Sequence, residues 1–209
     1  MKKKILIVSN YFDPHQSGMV QYLKSQIKTF KKNNFKIYIL TGNTNDKKKI
    51  EKIDNYIIIR SKISFNIGRG YISLSLIKDF FKVSKKMDII NFHFPLVEII
   101  FMLFLSKKYK ILNFHCLPPI LRFNFLSIIT NIYFNLSSFL SMLICNKIIT
   151  HTNDYMKNVP FSKLFRDKIV EIFPKLEFKK NIIDNEYLIK NNETIKIGFL
   201  GRICREKGI

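Results

Sequence analysis

The sequence predicts an α/β fold, a doubly wound and mostly parallel sheet. Three observations predict it. Short runs rich in Ile, Leu and Val recur along the chain, as in strands buried on both faces. Between them lie stretches whose apolar residues repeat at three- and four-residue steps, the pattern of amphipathic helices. Their alternation implies right-handed crossovers and helices on both sides of the sheet.

The opening stretch sets the pattern. Lys4 to Val8 reads as a buried strand, and the loop YFDPHQS follows Asn10. From Gly18 to Lys32, Val20, Leu23, Ile27 and Phe30 make one apolar helix face. Asn33-Asn34 offers a left-handed stop, and Phe35 to Thr41 reads as a second strand. In such a β-loop-α-β unit the first loop lies at the carboxyl end of the strand, where open α/β sheets bind ligands. Gly18 starts the helix, where backbone N–H groups and the helix dipole favour an anion such as phosphate.

The rest keeps the rhythm. Lys47 to Lys52 reads as a charged connector, Tyr56 to Ser61 as a strand and Asn66 to Tyr71 as a glycine-bearing loop. Leu74, Ile77, Phe80 and Phe81 line the next helix. Asp88 to Phe92 is a strand ending at His93, and Pro95 suits the first turn of a helix. Tyr109 to Phe114 is a strand ending at His115. A long helix runs over Phe123 to Ile144, with a strand over Lys147 to Thr152 and a short helix through Tyr155. Lys168 to Phe173 closes this series of strands. The polar stretch from Glu177 to Asn192 lacks periodicity, and Thr194 to Leu200 reads as a fresh strand. The expected organisation is therefore a domain over 1–176, a linker over 177–193 and the start of a second unit over 194–209. A strand that opens a second unit finds partners only with that unit. A truncated or separately encoded second half is therefore expected.

Composition narrows the function. With 47% hydrophobic residues and 20 Phe, the chain can bury a large core. The formal charge is +21, from 36 Lys+Arg against 15 Asp+Glu. Nucleic acid, an anionic membrane surface or a phosphorylated substrate could match that charge, as could a general bias toward Lys, Ile, Asn and Phe. Cys116, Cys145 and Cys204 lie far apart, without a Cys-x-x-Cys pair. This favours a reducing, cytoplasmic setting and no metal site. The stretch Phe125 to Cys145 is long enough to span a bilayer, but Ser127, Thr130, Asn131, Asn135, Ser137, Ser138 and Ser141 interrupt it. That pattern suits a helix lying on a sheet or half-immersed at a membrane surface. Gly-x-Gly-x-x-Gly is missing between Ser9 and Gly18, which argues against a nicotinamide enzyme. No helix-turn-helix, zinc finger or RNA-binding aromatic motif appears, so no nucleic-acid partner is expected.

Four features make the chain resemble the amino-terminal half of a family 4 glycosyltransferase of GT-B architecture, a Rossmann-like domain. The first is the strand followed by Phe12-x-Pro14-x-x-Ser17-Gly18, a helix, a strand and Thr41-Gly42. The family usually has Gly-Gly where this chain has Ser17-Gly18. The second is Asp88-Ile89-Ile90-Asn91-Phe92-His93-x-Pro95, and the third is the next strand ending in Phe114-His115. The fourth is Gly201-Arg202 with Lys207-Gly208, matching Gly-Arg-x-x-x-x-Lys-Gly.

The resemblance implies transfer of a sugar from a nucleotide-diphosphate sugar, usually with retention, and no further cofactor. Saccharide or lipid-linked acceptors of bacterial surface polysaccharide assembly are the implied second substrates, with peripheral contact at an anionic membrane compatible. By the same resemblance, Ser17 and Gly18 lie near the donor diphosphate, and Arg202 and Lys207 neutralise it. His115 is the expected catalytic residue, contacting the transferred sugar or the acceptor. His93 and His151 are read as mainly structural, and His15 as a loop residue at the cleft rim. Two departures stand out. The family's acidic Glu-x-x-x-x-x-x-x-Glu motif is absent, and Pro174-Lys175-Leu176 replaces the usual Pro-Asn-Gly. The 209-residue chain alone is therefore expected to be inactive. The alternative is a non-enzymatic remnant that associates with membranes or with another protein.

Overall fold

The computed structural model describes residues 2–67, 70–117 and 125–174, together with Gly198. The linker, the strand expected over Thr194 to Leu200, and Arg202 and Lys207 fall outside the described residues.

The chain forms β1 (Lys4–Val8), α1 (Gly18–Lys32), β2 (Lys36–Gly42), β3 (Ile50–Ile53) and β4 (Tyr56–Ser61). A hairpin of β5 (Phe65–Ile67) and β6 (Gly70–Ile72) comes next, then α2 (Leu74–Ser84), β7 (Ile89–Phe94) and α3 (Ile99–Phe104). Last come β8 (Tyr109–Phe114), α4 (Phe125–Ile144), β9 (Lys147–Thr150), α5 (Asn153–Lys157), a 3-10 helix (Ser162–Lys168) and β10 (Ile169–Glu171). The main sheet has eight strands in the order β10-β9-β8-β7-β1-β2-β4-β3. All its neighbours pair in parallel except β3, which runs antiparallel to β4 at the edge. This is the doubly wound, mostly parallel sheet that the sequence predicts.

Local chemistry explains the ends of α1. Ser17 is extended, and its Oγ accepts the Val20 amide at 3.3 Å, an N-cap that satisfies one orphan donor of the first turn. Asn34 takes a left-handed φ of 61° just past the last turn, a conformation Asn tolerates better than other non-glycine residues.

Several expectations are corrected. The charged connector ends in strand β3, because Ile50 and Ile53 frame a short segment that pairs with β4. The glycine-bearing loop is a two-stranded hairpin. Pro95 precedes its helix instead of starting it, since α3 begins at Ile99. His93 lies inside β7, not beyond its end.

Alternation along the strands sends side chains to two cores. Ile5, Ile7, Ile37, Ile39 and Ile58 face α1, where Val20, Leu23 and Ile27 cover them. Leu6, Val8, Leu40, Ile90, Phe92, Phe94, Leu112 and Phe114 face the other way, under α2, α3 and α4. The chain winds from β1 toward β3, returns, and winds from β7 toward β10. The switch point therefore lies between β1 and β7, where ligand crevices form in such sheets. The Asn10 amide bridges it by donating to the Pro95 carbonyl at 2.7 Å.

Candidate functional site

The face of the sheet under α1 is not apolar throughout. On β7 and β8 the positions pointing to that side carry Asn91 and His93, then Asn113 and His115, and His151 follows β9. Their apolar neighbours Phe92, Phe94 and Phe114 point to the opposite core. Strand periodicity thus places a polar lane beside the switch point at the carboxyl edge.

Helix α1 answers the lane with two polar side chains. The Asn91 amide donates to Gln26 Oε1 at 3.1 Å, and Gln26 donates to Asn113 Oδ1 at 2.7 Å and to the Tyr22 hydroxyl at 3.0 Å. The Tyr22 hydroxyl donates to Asn113 Oδ1 at 3.3 Å, and Asn113 donates to Asn91 Oδ1. Almost every hydrogen-bonding atom of this buried group finds a partner, as a polar core requires.

The three histidines form a row. His93 Nδ1 lies 2.9 Å from His115 Nε2, and His115 Nδ1 lies 3.0 Å from His151 Nε2. The Tyr22 ring stands nearly perpendicular to His115 and His151, at 5.4 and 4.6 Å between centroids, and 6.2 Å from His93. Burial, then the neighbouring imidazoles, hold His93 well below the ordinary imidazole range. Burial, then His151, lowers His115 to about 3. Both rings are therefore neutral at physiological pH. With His93 and His115 neutral, the two N–H···N bonds run the same way along the row: both donors are Nδ1 atoms, or both are Nε2 atoms. The terminal atoms, His93 Nε2 and His151 Nδ1, are buried without a hydrogen-bond partner among the described residues. Nitrogens this close and facing each other are hydrogen-bond partners. They do not converge on a common point as metal ligands do, and no group placed to hold a metal occurs among the described residues.

The expected site residues fall out as follows. Ser17 and Gly18 begin α1 just past the carboxyl end of β1, and Tyr22 sits one turn further along. The helix that starts at Gly18 therefore reaches His115 through Tyr22, on the same edge of the sheet. A Cβ at Gly18 would meet nothing within 4 Å, so the space outside that corner is open. Ser17 spends its hydroxyl oxygen on the cap. Both ring nitrogens of His115 are engaged by its neighbours, so a ligand taking a hydrogen bond from His115 must first displace one of them. His15 stacks on Tyr11 at 4.4 Å in the β1–α1 loop.

Reasoning from the sequence missed Asn91, Asn113, Tyr22, Gln26 and the membership of His151. A signal existed. Asn-Phe-His occurs twice, at 91–93 and 113–115, each time at a strand's carboxyl end.

A second hollow lies further along the same edge, lined by Lys49, Arg60, Lys62, Lys78, Asp79 and Lys82 among others. Its buried charges are matched internally. Asp79 accepts from Ser61 at 2.8 Å, and Arg60 pairs with Glu51 at 2.6 Å and donates to the Asp13 carbonyl at 3.0 Å. The polar lane is the stronger candidate because it holds unpartnered buried nitrogens beside the switch point.

No protein-family model and no curated protein sequence matches the chain. Solved structures do. Sucrose-phosphate synthase from Thermosynechococcus elongatus matches with a TM-score of 0.57 at 10% identity, over 82% of this chain and 48% of that one. HepE from Anabaena, solved with UDP-glucose, matches with a TM-score of 0.55 at 8% identity, over 83% and 44%. An alpha-glucosyltransferase in complex with UDP and a 13-mer DNA matches with a TM-score of 0.50 at 13% identity, over 84% and 43%. In fold, the chain is similar to GT-B glycosyltransferases. It spans a little under half the length of each of these neighbours.

Proposed function

We propose that this chain is a lobe of a retaining glycosyltransferase that takes its sugar from a nucleotide-diphosphate donor. The acceptor would be a saccharide, lipid-linked in the setting of bacterial surface polysaccharide assembly. The observation that carries the reading is the juxtaposition at the switch point. The open corner at Gly18 and the histidine row meet through Tyr22 on one sheet edge. A diphosphate at the start of α1 would face the helix N-terminus. A sugar hydroxyl beside it would displace one neighbour of His115, whose neutral ring offers one donor and one acceptor. The fold neighbours lend support, two of them solved with UDP or UDP-glucose.

The neighbours are about twice as long, so binding is assigned to this chain and turnover to the chain plus a second lobe. Arg202 and Lys207, proposed to neutralise the diphosphate, would act from that second lobe.

The test is a titration of the purified chain with UDP-glucose, followed by NMR, beside Gly18→Ala. Gly18 is helical with open space around it, so Ala keeps or slightly raises the melting temperature. The new methyl group occupies the place proposed for the phosphate, so binding weakens about tenfold, roughly 1.4 kcal/mol. Equal affinity of the two proteins would overturn the phosphate assignment. The rival remnant reading expects no binding by either protein. Sugar transfer by the 209-residue chain alone would overturn the division between lobes.

A further inference from the structure

Helix α4 carries apolar side chains on both its inward and its outward side. Its inward side carries Ser137, Ser138 and Ser141, all buried, beside Met142 and the partly buried Phe134. Its outward side carries Phe125, Ile128, Ile129, Ile132, Leu136 and Leu143, each between 47% and 79% exposed. At 100° per residue those six fall within an arc of about 100° along the helix. No charged residue interrupts α4. An amphipathic helix on a sheet normally turns its apolar stripe inward. Here small serines pack inward beside Phe134, Phe139, Leu140, Met142 and Ile144, and a second apolar stripe faces out.

The stripe continues onto the neighbouring helices. Phe101, Phe104 and Leu105 are exposed on or just after α3, and Phe81 on α2. Tyr133 ties α4 to the start of α3 by donating to the Val97 carbonyl. A contiguous exposed apolar surface of this kind marks an interaction site. The charge around it is one-sided. Among the described residues from Leu74 to Ile144 the exposed basic ones are Lys78, Lys82, Lys85, Lys86, Lys107 and Lys108, Lys110 being buried, while the acidic ones are Asp79, Asp88 and Glu98. Two of those three carboxylates, Asp79 and Glu98, are buried. Lys107 and Lys108 are exposed at the end of α3, and the Lys85 ammonium lies over the Phe81 ring at 3.9 Å.

We propose that the α2–α3–α4 face docks peripherally on an anionic lipid bilayer, at the inner leaflet of a cytoplasmic membrane. The apolar stripe enters the headgroup–acyl boundary, and the bordering lysines meet the lipid phosphates. A second copy of this chain fits less well, because it would bring two basic rims together on chains of net charge +21. The proposal stands independently of sugar transfer. It adds a direction to that reading, because α4 starts at the carboxyl edge. Phe125 then lies toward the same rim as the histidine row, and a lipid-linked acceptor would reach that rim from the bilayer.

The test is flotation of the full chain with vesicles of phosphatidylglycerol mixed with phosphatidylcholine, and of phosphatidylcholine alone, at low and high salt. A chain this basic binds anionic vesicles by charge alone at low salt, so the decisive arm is high salt. The wild-type chain is expected to stay bound there. The variant Ile128→Ser/Ile132→Ser changes exposed side chains, and an unchanged melting curve checks its fold. It is expected to lose at least about tenfold in partition at high salt. Three results would overturn the proposal. The variant and wild type could show the same salt sensitivity. A lipid-free dimer could dissociate on the same substitutions. Ile132→Cys could resist a water-soluble maleimide without lipid, which would mean that other residues of the chain cover the stripe.

Discussion

The behaviour of single residues is set by burial in the histidine row. His93 and His115 are held below their ordinary value near 6.5, His115 to about 3, so the fold selects their neutral forms. A lowered pKa in the native state means that the unfolded chain binds protons first as pH falls. The stabilisation is fully present above about pH 6.5 and is lost as pH falls toward about 3. His115 contributes a slope of up to about 1.4 kcal/mol per pH unit within that window, and His93 adds in the same direction. Urea unfolding at about pH 7 and at about pH 5 measures it, with His115→Asn as the control. Carboxylates add to the acid loss in both proteins, so the difference in slope isolates the imidazole. The variant should be less stable near neutral pH and should lose less on acidification. Equal slopes would mean that the ring is not held neutral. The histidines themselves were legible as strand-end residues, but their alignment was not. The row requires His151, which directly follows a third strand, and the pairing of β8 with β9 decides whether it joins. Sequence spacing alone does not fix that pairing.

At the level of elements, α4 shows what a pattern of residue types reveals and what it hides. Its length and its interrupting serines and asparagines were visible, and so were its two candidate roles. Which face turns inward was not, because sheet-covering and surface-lying helices share a period. The answer depends on side-chain size. Ser137 and Ser141 let the helix approach β8, and the Ser141 hydroxyl donates to the Ser137 carbonyl at 2.6 Å. Ser141→Leu should therefore overpack that seam and cost about 1–3 kcal/mol. Ser138 differs. Its Oγ is buried with no partner among the described residues. Ser138→Ala removes an unpaired polar atom and should be neutral or stabilising by up to about 1 kcal/mol. Thermal melts of the two variants check this orientation. Tolerance of Leu at 141 would mean that this face is not against the sheet. The hairpin of β5 and β6 was misread for a related reason. Its strands hold only three residues each, too few for a period to show, and the contact that holds it is distant. The Tyr71 hydroxyl accepts from the Gly42 amide at 2.9 Å and donates to the Asn10 carbonyl. A Cβ at Gly42 would stand 2.3 Å from the Tyr71 ring, so that glycine answers to packing that only the folded chain shows.

For the whole molecule, strand and helix order was legible because buried parallel strands and amphipathic helices carry opposite periodicities. Strand neighbours are less so, yet the reversal of winding between β1 and β7 decides where a ligand goes. The two edges of the sheet can be set against each other. The carboxyl edge holds the β1–α1 loop, the Asn10–Pro95 bridge and the histidine row. The amino edge also has a hollow, lined by Lys2, Lys31, Lys36, Lys52, Asp54 and Tyr56 among others. That hollow is more basic than the histidine row and would be preferred to it if charge alone chose the site of a diphosphate. The amino ends of parallel strands lack the loops that lead into helix N-termini, so lysines there offer charge without oriented N–H groups. Saturating UDP-glucose should therefore slow amide hydrogen exchange around residues 10–22, 93–97 and 115–117 and leave residues 31–36 and 52–57 unchanged. The distinction survives added salt, because oriented amides act at contact distance while lysine attraction is screened over about 10 Å at 0.1 M. Protection confined to the amino edge and lost with salt would make the binding a property of net charge, and the switch point would then have no part in it.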